Sequence, residues 1–248
     1  MAYLRAVTAF LIITLFSLQL AASVERTPNE RRVVVDSSGG WKIVGDLLVP
    51  KSKSLVPAVI LLNKAAGDRR VYESLARHLA ERGIASFRVD LRGHGESINK
   101  GKFVPGAENA LSLMEGSDED VAAARSYLKT VHGIDAQKIG FVGASYSGEE
   151  MAVAARKHGY GKAYVALSPG SFSEESMGAI DGSGAAWLFI KSTEERARSV
   201  KELFPLLRQK SRTAQTMEVA GTGHATDILS EQQELAEMLA VWFKYHLR

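Results

Sequence analysis

The chain has no cysteine. That excludes disulfides, thiolate metal sites, a cysteine nucleophile and an acylated lipoprotein cysteine. Stability must therefore come from burial of a core. A length of 248 residues with 46% hydrophobic composition permits this in one globular domain. Basic runs are also lacking. Pairs such as Lys51 with Lys53, or Arg69 with Arg70, are isolated loop charges in a chain of formal net charge +3. Nothing marks a nucleic-acid face, so no nucleic-acid partner is expected. No internal repeat, low-complexity tract or second domain is visible. Long apolar runs are absent too, except at the N-terminus. There Arg5 precedes a run of about 15 residues, short of the roughly 20 that span a bilayer. Ala21-Ala22-Ser23 follow it. Residues 1–23 thus read as a cleaved secretory signal, leaving a domain over 24–248. The expected location is secreted or periplasmic, with no stable membrane association after cleavage. An uncleaved N-terminal anchor is the alternative.

What is present alternates. Arg31–Asp36 and Trp41–Val49, joined by Ser37-Ser38-Gly39-Gly40, read as an antiparallel hairpin. The continuous apolar run Ala58–Leu62 suits a strand buried on both faces. Further strands are expected at Ala85–Val89, 138–144, Ala163–Leu167, Ala186–Ile190 and Thr213–Val219. Helices are expected at Val71–Arg82, Ser117–Thr130, Gly148–Lys157, Glu195–Leu207 and Ser230–Leu247. Ser117 to Asp120 resembles a capping box, and Ser230 with Gln233 offers another. Strands alternating with helices imply α/β architecture, a mostly parallel doubly wound sheet with right-handed crossovers. The connection from Leu167 to Ala186 holds a turn and a small helix, not a cap domain.

Chemistry concentrates where strands end, since loops at the carboxyl edge of a parallel sheet carry function. Gly143-Ala144-Ser145-Tyr146-Ser147-Gly148 turns from an apolar strand into a helix and puts Ser145 at the tip of a nucleophile elbow. The usual Gly-x-Ser-x-Gly spacing is altered, because Ser147 stands at the fifth position. Gly221-Thr222-Gly223-His224-Ala225 ends another strand, and His224 is the candidate general base that a serine hydroxyl needs. His78, His94, His132, His158 and His246 lie mid-helix, in other loops or at helix ends. The loop 191–196 supplies Glu195, with Glu194 as fallback, to fix the imidazole tautomer. Asp227 is a weaker candidate, and Asp181 precedes its strand on the wrong edge. Two oxyanion donors are expected: the Tyr146 backbone N–H and one from the loop 63–68, Ala65 or Lys64.

The order Ser145, acid, His224, together with the hairpin and the run Asp-Leu-Arg-Gly-His-Gly-Glu-Ser at 90–97, resembles the α/β-hydrolase superfamily over nearly all of the mature chain. The missing cap is similar to the small dienelactone-hydrolase and acyl-esterase branches. The resemblance implies that residues 90–97 are structural and that His94 is not catalytic. It does not imply dienelactone hydrolysis, which uses a cysteine. Many relatives carry His-Gly where this chain has Asn63-Lys64. Lys64 is expected to point to solvent; the alternative is that it attracts anionic substrates. The expected activity is a serine hydrolase of carboxylic ester or thioester bonds acting on a small-molecule acyl ester, with no metal or cofactor. An amidase or peptidase on the same triad, and a binding protein that kept the fold without activity, are the alternatives. Phe103, Leu113, Met114, Phe172 and Met177 are candidates for an acyl pocket.

Overall fold

The computed structural model describes residues 29–210 and 214–248. The signal segment expected at 1–23 lies outside them, as does Thr213. Eight strands form one sheet: β1 (Glu30–Ser37), β2 (Trp41–Leu48), β3 (Val56–Leu62), β4 (Ala85–Val89), β5 (Ile134–Ala144), β6 (Ala163–Leu167), β7 (Ala186–Ser192) and β8 (Ala214–Val219). Their spatial order is β1-β2-β4-β3-β5-β6-β7-β8. β1 pairs antiparallel with β2 and β2 antiparallel with β4, while every pairing from β4 to β8 is parallel. Gly39 and Gly40, both at positive φ, turn the hairpin as the sequence implied.

The helices are α1 (Glu73–Glu81), α2 (Ala110–Met114), α3 (Ser117–Leu128), α4 (Ser147–His158), α5 (Glu174–Gly182), α6 (Arg198–Gln209), α7 (Asp227–Glu231) and α8 (Gln233–His246). Alternate residues of each central strand serve opposite faces, so a doubly covered strand must be apolar throughout. Ala58, Ile60 and Leu62 pack with α3, α4, α5 and α6 on one side. Val59 and Leu61 pack with α1 and α8 on the other. A row of aromatic side chains crosses the first side: Phe141 on Tyr164 at 5.1 Å, Tyr164 on Trp187 at 4.1 Å and Trp187 on Phe189 at 5.9 Å between ring centroids, each nearly parallel.

One expected cap and two helix starts differ from expectation. α3 begins after Gly116 in a left-handed conformation with no side-chain cap. Its acids instead make tertiary ties. Asp120 takes the Arg92 guanidinium at 2.7 and 2.9 Å and the Ser37 hydroxyl at 2.6 Å, and Asp118 takes Lys157 at 2.7 Å. α6 begins at Arg198 rather than Glu195, because Glu195 turns inward. The closing helix breaks at Gln232, whose side chain leaves to donate to the Ala220 carbonyl at 2.7 Å, and the expected Ser230–Gln233 cap does not form.

The run at 90–97 is structural here. Asp90 is fully buried and accepts from the Arg69 guanidinium at 2.5 Å, the Arg69 N–H at 2.7 Å and the Glu96 N–H at 2.9 Å. His94 is buried with Nδ1 at 2.9 Å from the Arg92 carbonyl, and burial pushes its pKa down, so the neutral ring donates there. Its ring stacks on Phe103 and on Tyr146, the residue after the elbow serine.

Candidate active site

The carboxyl ends of β3, β5, β6, β7 and β8 come together at one edge of the sheet. Ser145 follows β5 at φ 55, a left-handed conformation for a non-glycine residue. Its N–H donates to the Leu167 carbonyl of β6 at 2.9 Å. The turn is closed so tightly that a Cβ on Gly143 would stand 2.6 Å from the Ser147 carbonyl oxygen. Ser147, the departure from the usual elbow spacing, is fully buried. Its hydroxyl accepts from the Ala144 N–H at 2.7 Å and lies 3.0 Å from the Ala144 carbonyl and 3.3 Å from the Leu62 carbonyl. The larger residue is tolerated because its hydroxyl stitches the elbow to β3.

His224 stands on the turn after β8. Glu231 holds that turn from α7, accepting the Thr222 and Gly223 N–H groups at 3.0 and 2.8 Å. The imidazole bridges two partners. Nε2 lies 3.1 Å from Ser145 Oγ, and Nδ1 lies 3.1 Å from Glu195 Oε2. The Glu195 side chain is 1% exposed and that of His224 33%. A buried carboxylate opposite Nδ1 fixes the proton there and leaves the Nε2 lone pair facing the serine hydroxyl. Burial alone would push the Glu195 carboxyl up. The Ala197 N–H at 2.9 Å, the Ser168 hydroxyl beside it and the His224 ring outweigh that and hold it below the usual carboxylate range.

Of the two glutamates, only Glu195 reaches the histidine. Glu194 is exposed, and its backbone N–H ties the loop to the Gly221 carbonyl at 3.0 Å. Asp181 binds Lys210 far along the chain from this edge. The loop after β3 is fixed from beneath by buried Asn63, which accepts from the Leu91 N–H at 2.9 Å and donates to the Lys64 carbonyl at 2.8 Å. The backbone N–H groups of Ala65 and Tyr146 donate to no other group among the described residues.

Lys64 does not point freely into solvent. Its ammonium sits 2.5 Å from Asp227 Oδ2, on the turn just after His224. A cation already matched by a carboxylate projects little net field toward a substrate. Lys64→Ala is therefore expected to change the ratio of kcat/KM for anionic over neutral esters by less than about threefold. With side chains 23% and 54% exposed, the pair contributes about 0–1 kcal/mol of stability. Parallel rate measurements on a charged and an uncharged ester of one acyl length check this.

Sequence reading missed three contributors: the Ser147 stitch, Asp227 as partner of Lys64, and Ser168 at the end of β6. Ser168-Pro169-Gly170 was readable as a turn at the carboxyl edge of a strand, the edge where function gathers. Among the described residues, four non-glycine residues have positive φ: Ala66, Ser145, Ser168 and Ala225. All four lie on the loops of this edge.

Residues 39–244 match the X-Pro dipeptidyl-peptidase (S15 family). An uncharacterized protein from two strains of Mycobacterium tuberculosis is 30% identical over 118 residues, 48% of this chain and 38% of the relative's own length. This chain thus matches little more than a third of those relatives. Among solved structures, an esterase of Pyrobaculum calidifontis superposes with a TM-score of 0.65 at 18% identity, covering 90% of this chain and 86% of the esterase. Est1E from Butyrivibrio proteoclasticus, solved with ferulic acid bound, gives 0.66 at 19% identity over 85% of this chain and 98% of its own. A dienelactone hydrolase of Anabaena variabilis gives 0.62 at 17% identity over 89% and 100%. At these identities the structural likeness establishes the fold.

Proposed function

Because this chain belongs to the X-Pro dipeptidyl-peptidase (S15) family, within the α/β-hydrolase superfamily, we propose that it is a serine hydrolase that cleaves carboxylic ester or thioester bonds through an acyl-enzyme. The observation that carries this reading is the unbroken hydrogen-bonded line Glu195–His224–Ser145. Ser145 Oγ attacks the substrate carbonyl carbon while His224 Nε2 takes the hydroxyl proton. Glu195 stays ionised and stabilises the imidazolium. The negative oxygen of the tetrahedral intermediate accepts from the Tyr146 and Ala65 N–H groups. Collapse breaks the ester C–O or thioester C–S bond, and His224 returns its proton to the leaving alcohol or thiol. Water then repeats the attack on the acyl-serine, with His224 again taking and returning a proton, and releases the acid. Each step is carried by the chain's own groups.

Pro169 and Phe172 lie against the first turn of α4, close to where a Cβ on Gly148 would project. Phe172 meets Trp187 and Phe189 edge-on. The sequence pattern at 1–23, expected to be a secretory leader, supports a location in the cell envelope or exterior.

The family match favours one second reading, release of X-Pro dipeptides. That reaction uses the same acyl steps and additionally needs a group to receive the substrate's free amine. Asp227, the acid nearest His224 in the chain, is already occupied by Lys64. A panel of p-nitrophenyl esters of increasing acyl length, run beside Gly-Pro-p-nitroanilide, separates the two. The ester reading expects kcat/KM for at least one short ester to exceed that for the anilide by a hundredfold or more on the scale of enzymatic discrimination. The reverse order would replace it with the dipeptidyl reading.

A further inference from the structure

We propose that Ser168 is a positioning residue whose hydroxyl donates to the Glu195 carboxylate and fixes the orientation in which that carboxylate meets His224. This rests on the reading of Ser145, His224 and Glu195 as the catalytic set and adds a fourth side chain to it.

Ser168 ends β6, between the strand that carries the elbow and the strand that leads to Glu195. It is tied to both neighbours. Its own N–H donates to the Ile190 carbonyl of β7 at 2.7 Å, and the preceding Leu167 carbonyl accepts the Ser145 N–H at 2.9 Å. The residue is fully buried, and its Oγ has no partner at ordinary hydrogen-bond length in the resting structure. Its φ is 42, left-handed, although Pro169 follows and a residue before proline is driven toward extended backbone. A buried hydroxyl without a close partner and a left-handed backbone before proline are each unfavourable. Two such costs at one position beside the site call for a compensating role.

The carboxylate of Glu195 supplies it. One of its oxygens faces His224 and the other accepts the Ala197 N–H. A carboxylate has about four acceptor positions, so room remains for a third donor. The β6–β7 register, with Leu167 opposite Ile190, sets buried Ser168 beside the end of β7 from which the chain runs on to Glu195, and its hydroxyl is among the groups that hold Glu195 in its charged form. Hydrogen bonds at such sites often tighten only when charge develops. When His224 becomes imidazolium, a third donor on Glu195 keeps the carboxylate from swinging with the ring. A serine present only because the turn needs a small residue would be replaceable by glycine without consequence.

The test compares Ser168→Ala and Ser168→Gly with the wild-type enzyme. Alanine keeps the strain and loses the hydroxyl; glycine loses the hydroxyl and relieves the strain. Both are expected to lower kcat for the best ester by about tenfold, the loss of roughly one net hydrogen bond, with KM within twofold. The low-field proton resonance of His224 Nδ1 should shift or broaden in both. The glycine variant should melt no lower than wild type, which separates positioning from folding. Full kcat and an unmoved resonance in the glycine variant would overturn the inference. Undiminished activity in Ser145→Ala would instead overturn the catalytic assignment beneath it.

Discussion

Ser145→Ala is expected to abolish stoichiometric labelling by a fluorophosphonate and to lower kcat on esters by roughly five orders of magnitude or more. The size follows from what is lost: the acyl-enzyme route itself, with only binding and the oxyanion donors left. The variant should fold, because alanine occupies the same left-handed turn with the same strain as serine, and the Ser145 N–H to Leu167 tie is backbone. A circular dichroism melt confirms folding before rates are compared. Persistent labelling would move the nucleophile elsewhere. Ser147 is no substitute, since its buried hydroxyl is committed to Ala144 and Leu62. A wild-type protein that never labels would leave the alternative of a binding protein on a hydrolase scaffold.

Glu195→Gln is expected to cost on the order of 10³ to 10⁴ in kcat with KM little changed. A neutral amide is nearly isosteric, so the cavity is preserved. It cannot stabilise the imidazolium that forms as Ser145 attacks, and its NH₂ can turn toward Nδ1 and force the proton onto Nε2. Glu194→Gln, one residue away, should leave the rate within twofold, because that side chain is exposed. Acid dependence supplies a second readout. The folded Glu195 carboxyl is held below its usual range, so its ionisation favours the folded state above the unfolded value of about 4.3. That contribution fades as pH falls through the folded value. Thermal melts of wild type and Glu195→Gln should therefore converge as pH drops below about 4. A gap that widened in acid would contradict the assignment.

The architecture was legible because its signals are local. Ala58–Leu62 is apolar without alternation, as two-sided burial demands, and Ala163–Leu167 and Ala85–Val89 are strands over the expected residues. Ser145 and His224 were legible for the same reason: each sits among small residues where a strand ends. Of the two adjacent glutamates, spacing ranked Glu195 first but could not exclude Glu194. Their choice depends on where the chain leaves β7, and α6 begins three residues later than periodicity suggested. The acids at 118–120 do stand in the first turn of α3, but the ties made by Asp118 and Asp120 were not legible. Their partners, Arg92 and Lys157, are distant in sequence and meet them only after folding. Lys64 was misread likewise, since Asp227 lies 163 positions away. Errors thus fell on pairs made by tertiary contact.

The four left-handed non-glycine residues around the site have a thermal consequence. Each is held at a cost of order 1–3 kcal/mol by surrounding packing, so this edge is expected to relax first when the core is weakened or warmed. Loss of the proposed activity on heating is then expected to be a local melting event that precedes collapse of the sheet. Heat inactivation would set in several degrees below the global transition and reverse on cooling while β3 to β7 remained paired.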